Sequence, residues 1–195
     1  MAKTTTKSSN GKPELFFSQT MRSPKGSALF AKLIEPDIFK GGDPTWKITL
    51  VFSDTDPEFL AFKDVVEKFA KTFSKQCGKP VDPAKSFGSD RDTGMPTMTF
   101  KSKARLDDAG KYIPIAMVDA NKAAVTREPW NGDECRVAFK FGGWESALGV
   151  GIKPYLSAVQ VVSRAVRSSG GGFAAVNVFD SVSTVAPLTE DELPF

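Results

Sequence analysis

Between Thr97 and Arg105 the side chains alternate in character. Met98, Phe100, Ser102 and Ala104 fall on one face of an extended chain, and Thr99, Lys101, Lys103 and Arg105 on the other. Residues two apart on a strand lie roughly 7 Å from one another, and three cations in line at that spacing can follow the successive charges of a polyanion. Flat side chains near such cations supply the second ingredient of single-strand binding, because a base stacked on an aromatic gains about 1–3 kcal/mol whatever its identity. Tyr155 shares a strand face with Lys153 and Ser157, and Trp144 stands in Phe141–Ser146, which reads as a loop between strands. With Lys47, on the polar face of another alternating segment, the candidate set for holding nucleic acid is Lys47, Lys101, Lys103, Arg105, Trp144, Lys153 and Tyr155. The plain alternatives are a solvated sheet face for the lysines and a lid folded back on the core for Trp144. Trp130 is a lower-ranked loop aromatic, whereas Trp46 alternates with Ile48 and Leu50 and reads as core.

Strands must position these groups, and the patterns for them are present. Ser27–Ile34 and Thr45–Phe52 read as the first two, separated by a glycine-containing loop from Pro36 to Pro44. Asp56 suits a helix cap, Pro57 the first helical position and Glu58 the positive helix end. Phe59, Phe62, Val66, Phe69 and Phe73 then recur at three- and four-residue steps, which predicts one aromatic face turned to the core, and Gly78 and Pro80 end the helix. After a loop over residues 79–94, strands are expected at Thr97–Arg105 and Lys111–Val118 around the turn Leu106–Gly110, and at Glu134–Phe141 and Gly149–Ser163. Five to seven short strands with one inserted α-helix predict a mainly β fold, an OB-fold-like antiparallel barrel with flexible termini; a β-sandwich is the competing architecture.

Composition narrows the chemistry. The 195 residues include no histidine, which removes the commonest general base and the commonest metal ligand. Cys77 and Cys135 stand 58 positions apart with no C-x-x-C spacing, and read as free thiols of a reducing compartment. Asp54, Asp56 and Glu58 could be imagined as a metal cluster, but cap and helix-end roles explain two of them. Asp90/Asp92 and Asp107/Asp108, which a magnesium-dependent nuclease could use, lie in turn-like contexts, so no catalytic residue, metal or cofactor is expected. No stretch approaches the apolar length of a membrane span and Met1–Pro13 lacks the apolar run of a signal peptide, so a cytoplasmic protein without membrane contact is expected.

The formal net charge is +3, but all 26 bases precede Ser168, while Asp180, Glu190, Asp191 and Glu192 are four of the 23 acids. A basic body with an acidic end suits a polyanion-binding surface. Residues 1–13 read as a mobile basic arm, 14–169 as one folded domain carrying the candidate nucleic-acid surface, 170–187 as a linker opening on three glycines, and 188–195 as an acidic docking tail. In that tail Glu190, Asp191 and Glu192 resist burial and Pro194 lacks a backbone donor, so the segment suits capture by a partner with a basic pocket for the acids and an apolar slot for Leu193 and Phe195. A tail kept for solubility is the alternative.

The tail resembles the acidic, Pro-Phe-ended tail of bacterial single-stranded DNA-binding proteins. Over about residues 28–172 the chain resembles the single-stranded DNA-binding proteins of short-tailed coliphages. The matching pieces are Trp46–Leu50 followed by Asp54–Pro57 and a helix; Thr97–Lys103; Ile115–Asp119; Arg136–Lys140; Trp144–Gly151; and Ser157–Val162, then glycines and the acidic tail. The resemblance implies an OB-fold that binds single strands without sequence preference, with Lys101 and Lys103 in its DNA groove and Phe195 as the terminal aromatic of a tail that docks replication proteins such as DNA polymerase or helicase-primase. This tail is shorter and less charged than the family's, and the loop before Trp144 is shorter. The expected function is therefore coating of single-stranded DNA in phage replication, recombination and repair, within the infected host's cytoplasm and without enzymatic activity. A homodimer is left open; an annealing or recombination-mediator protein, or a structural interaction module, is the alternative.

Overall fold

A computed structural model describes residues 17–147 and 149–166. The expected arm, linker and tail, with Glu190 to Phe195, lie outside the described residues. The strands are β1 (Met21–Arg22), β2 (Gly26–Asp37), β3 (Thr45–Val51), β4 (Gly88–Ser89), β5 (Pro96–Lys103), β6 (Ala116–Val118), β7 (Glu134–Ser146) and β8 (Gly149–Ser163), with helix α1 (Pro57–Cys77) between β3 and β4.

Five of these strands close on themselves. β2 pairs antiparallel with β3, and β3 with β5. β5 meets β8 in parallel at Lys101↔Tyr155, and β8 runs back antiparallel along β7. β7 returns to β2 at Gly26↔Cys135 and Ser27↔Glu134, which completes the ring. β1, β4 and β6 are attached to β7, β5 and β8 respectively. One continuous sheet closed in this order is an OB-like barrel and not a two-sheet sandwich.

Helix α1 begins and ends where its sequence directs. Asp56 accepts a hydrogen bond from the Glu58 amide at 2.9 Å, and Gly78 takes the left-handed conformation (φ 69°) that a non-glycine residue adopts with strain. Its buried side chains are Phe59, Phe62, Val66, Ala70 and Phe73, with Phe69 half-buried at the margin. Phe62 lies 5.9 Å from Phe139 and 6.3 Å from Phe141 of β7, and Phe59 stacks on Phe52 at 5.0 Å. The Arg136 guanidinium grips the Glu58 carboxylate, tying the helix start to β7 and holding Glu58 below the ordinary carboxylate range through that hydrogen bond.

Several boundaries differ from expectation: β2 runs on to Asp37, into the predicted Pro36–Pro44 loop, and β4 interrupts the predicted loop over residues 79–94. β5 ends at Lys103, so Arg105 lies past the strand in the connection closed by the bridge Leu106↔Tyr112. The predicted strand Lys111–Val118 shrinks to Ala116–Val118. β7 runs to Ser146, so Trp144 is a strand residue paired with Gly151 and not part of a loop. Gly142 and Gly143 look like turn residues in sequence, but they are close-approach positions. A Cβ on Gly143 would stand 2.4 Å from the Phe73 ring, and one on Gly142 2.4 Å from the Tyr155 ring.

Candidate nucleic-acid interface

Strand register decides which side chains become neighbours, and here it lines up cations. Lys32 of β2 faces Lys47 of β3, Lys47 faces Lys101 of β5, Lys101 faces Tyr155 of β8, and Tyr155 faces Lys140 of β7. Neighbouring strands lie about 4.8 Å apart, so four lysines and a tyrosine form one row across the outside of the barrel. The opposite faces of the same strands carry the core: Trp46, Ile48, Leu50, Met98, Phe100, Phe139 and Leu156 are buried. Like charges directly opposite each other on a sheet oppose folding, a cost that a single carboxylate here offsets only in part.

Asp37, at the end of β2, sits within this row. Its Oδ2 accepts a hydrogen bond from Lys47 Nζ at 2.6 Å. That bond foremost, against some desolvation, and then the charges of Lys47, Lys32 and Lys101 hold its carboxyl below the ordinary range. Three lysines thus converge on one anion. Lys103, opposite Thr45, makes a looser pair with Asp43 at 3.0 Å, and Thr49 and Thr99 share a hydrogen bond of 2.8 Å across the same ladder.

The β7–β8 hairpin supplies the aromatics. The Trp144 indole lies across Gly151, where a Cβ would be 2.9 Å from it, with Lys153 Nζ 4.9 Å from its ring centroid. Tyr155 rests over Gly142 and meets Phe17 edge-on at 5.5 Å. Both rings are half-buried, held by their strands and by glycine floors, and Lys153 beside them is exposed.

Of the residues singled out in sequence, Lys47, Lys101 and Tyr155 come together in the row, Lys103 lies on the same outer face of β5, and Trp144 and Lys153 form one cation–aromatic pair on the hairpin. Arg105 is not part of the strand that carries Lys101. The sequence reading missed Lys32, Lys140, Phe17 and the 72%-exposed Phe39 of the β2–β3 loop, beside Lys40. Alternation along β2 and β7 marks Lys32 and Lys140 as outward-facing, but only register places them beside Lys47 and Tyr155.

Other chemistry has structural explanations. Asp90 accepts from the Thr93 amide and hydroxyl, and Asp107 from the amides of Ala109 and Lys111, so these acids close turns. Burial pushes the Cys135 thiol up to about 12, far from a reactive thiolate. Among the described residues no group of three or more metal-ligating side chains is present, and no helix is long and apolar enough to cross a membrane.

The ring order and the inserted helix define the class as an OB-like barrel, here with a transverse row of cations on its outer face. Among solved structures it is similar to the single-stranded DNA-binding protein gp2.5 encoded by bacteriophage T7, with a TM-score of 0.62 at 18% identity over 80% of this chain and 97% of that one. It is also similar to the single-stranded DNA-binding protein of bacteriophage Enc34 in complex with single-stranded DNA (TM-score 0.59, 15% identity, 77% of this chain and 89% of that one). A C-terminal truncation of the Enc34 protein matches with a TM-score of 0.59 at 14% identity, over 76% of this chain and 88% of that one. No family model and no curated protein matches the chain.

Proposed function

We propose that the protein binds single-stranded DNA without sequence preference, along a path from the β7–β8 hairpin across β5 and β3 to β2. The observation that carries this reading is the transverse row Lys32–Lys47–Lys101–Tyr155–Lys140, whose facing like charges are costly to the sheet and suited to a polyanion laid over it. Lys103 and Lys153 widen the cationic strip, and Trp144 and Tyr155 offer faces for bases. No step in this mechanism breaks a covalent bond, so the protein acts by coating and not as an enzyme.

In the same reading the protein serves phage DNA replication, recombination and repair in the host cytoplasm, and Glu190 to Phe195 recruit replication proteins such as the polymerase or helicase-primase. Similarity in fold to two phage single-stranded DNA-binding proteins supports that setting.

A tryptophan-fluorescence titration with oligo-dT at two salt concentrations, with matched duplex as control, tests the proposal. Saturable quenching by the single strand alone is expected, with log Kd changing by about 0.7 per decade of salt for each phosphate neutralised. Equal affinity for duplex, or no binding at low salt with or without residues 188–195, would overturn it.

A further inference from the structure

The lysine row does not stop at an open edge of β2. Past Ser27, β2 parts from β7, and residues 128–133 take the neighbouring place. The Gly132 amide donates to the Ala28 carbonyl and the Ala28 amide to the Asp133 carbonyl. Asn131 Oδ1 accepts from the Phe30 amide at 2.9 Å, and Glu128 Oε1 from the amides of Leu33 and Ile34. The loop is fixed from below by Asp133, 2% exposed, which accepts from the Trp130 and Ala165 amides and from Arg164 Nη1 at 2.7 Å.

This anchored loop presents a cation and a ring. The Arg127 guanidinium lies 4.1 Å from the Trp130 ring centroid, and Trp130 is 45% exposed. Phe30, bonded to the residue next to Trp130, is 64% exposed and holds φ at +51°, a conformation in which a bulky side chain is strained. The bulge there leaves Phe30 exposed while Leu33 is buried, and Lys32, the last cation of the row, is two residues on. A strained, exposed phenylalanine beside an exposed Arg–Trp stack adds nothing to the core.

We infer that Arg127, Trp130 and Phe30 form a second stacking platform for the single strand, at the opposite end of the lysine row from Trp144 and Tyr155. This rests on the single-strand reading above. The strand then crosses the barrel from one aromatic site to the other, its phosphates over the lysines and a base or two stacked at each end.

The test uses the full chain and oligo-dT of about 16 nucleotides, the upper end of OB-fold site sizes. In Trp144→Phe two indoles remain, Trp46 buried beyond the reach of a base and Trp130 45% exposed, so quenching by oligo-dT on top of the constant Trp46 emission reports stacking at Trp130 and is expected. Arg127→Ala and Phe30→Ala are each expected to weaken binding about tenfold, as loss of one stacked base would. Phe30→Gly, which relieves the backbone, is expected to melt no lower than wild type and still bind more weakly. If wild type binds in a salt-sensitive way while Trp144→Phe shows no quenching and the variants at 30 and 127 bind as wild type, the second platform is wrong and the single-strand reading stands. If wild type itself fails to bind, both fall.

Discussion

Asp37 Oδ2 lies 2.6 Å from Lys47 Nζ, in the middle of a row of lysines that otherwise face one another. The carboxylate stands where a phosphate would be drawn, and a strand that engages Lys47 must replace it. Asp37→Asn is therefore expected to bind oligo-dT more tightly than wild type, with the larger gain at low salt. Isothermal titration of both proteins at matched salt checks this; weaker binding by the variant would mean that Asp37 orients Lys47 for the ligand and does not compete with it.

The row predicts distributed binding. Lys32→Ala, Lys47→Ala, Lys101→Ala and Lys140→Ala should each weaken single-strand affinity by about three- to tenfold and flatten the salt slope by about 0.7. Lys101→Glu should cost most, because its neighbours in register are Lys47 and Tyr155. Abolition of binding by one alanine substitution, with the melting temperature unchanged, would contradict a shared contact.

Gly142 gives a substitution that touches the site without removing any group from it. An added Cβ would meet the Tyr155 ring at 2.4 Å and the Phe17 ring at 2.9 Å, so Gly142→Ala must displace Tyr155. Weaker oligo-dT binding with the lysine salt slope retained is expected. Wild-type affinity in a folded Gly142→Ala protein would remove Tyr155 from the interface.

Asp133 predicts a response to acid. Burial opposes its ionisation, but the hydrogen bonds from the Trp130 and Ala165 amides and from Arg164 outweigh that and hold its carboxyl below the ordinary aspartate value of 3.8. A carboxyl lowered in the folded state stabilises fully above its unfolded pKa, and that stability is lost as pH falls through the folded value. Asp37, Glu58 and Asp90 are shifted in the same direction. Thermal melts should therefore hold steady down to about pH 4 and fall steeply below it. Asp133→Ala, which leaves the Trp130 and Ala165 amides without their acceptor and Arg164 Nη1 with the Glu128 carbonyl alone, should cost about 3 kcal/mol at neutral pH and make the acid limb shallower.

Much of the barrel was legible because its signals are local. Gly149–Ser163 emerges with the expected limits, the alternation in Thr45–Phe52 and Thr97–Arg105 assigns core and surface correctly, and Asp56, Pro57 and Gly78 frame α1 as capping chemistry requires. What failed depends on distant partners. Gly142 and Gly143 look like a loop until the Tyr155 and Phe73 rings are placed on them. The three cations read along one strand prove to be two, because β5 ends at Lys103, while the longer row runs across strands through Lys32 and Lys140. A transverse row is a matter of register, and here register joins residues far apart in the chain, Lys47 to Lys101 and Lys101 to Tyr155.

The ring has thick and thin joints. β3 and β5 share seven register pairs and β7 and β8 thirteen, but β2 meets β7 through two, and β5 meets β8 at Lys101↔Tyr155 alone. The barrel is therefore a β2–β3–β5 meander and a β7–β8 hairpin around a shared core, joined on one side by β7 and the residues 128–133 that bond β2, and on the other by a single β5–β8 pair. A single strand laid over Lys101 and Tyr155, as proposed above, would span that one-pair joint as a clasp. Occupancy of the outer face would then be a mechanical property as well, a filled site resisting the parting of the two halves at their thinnest joint.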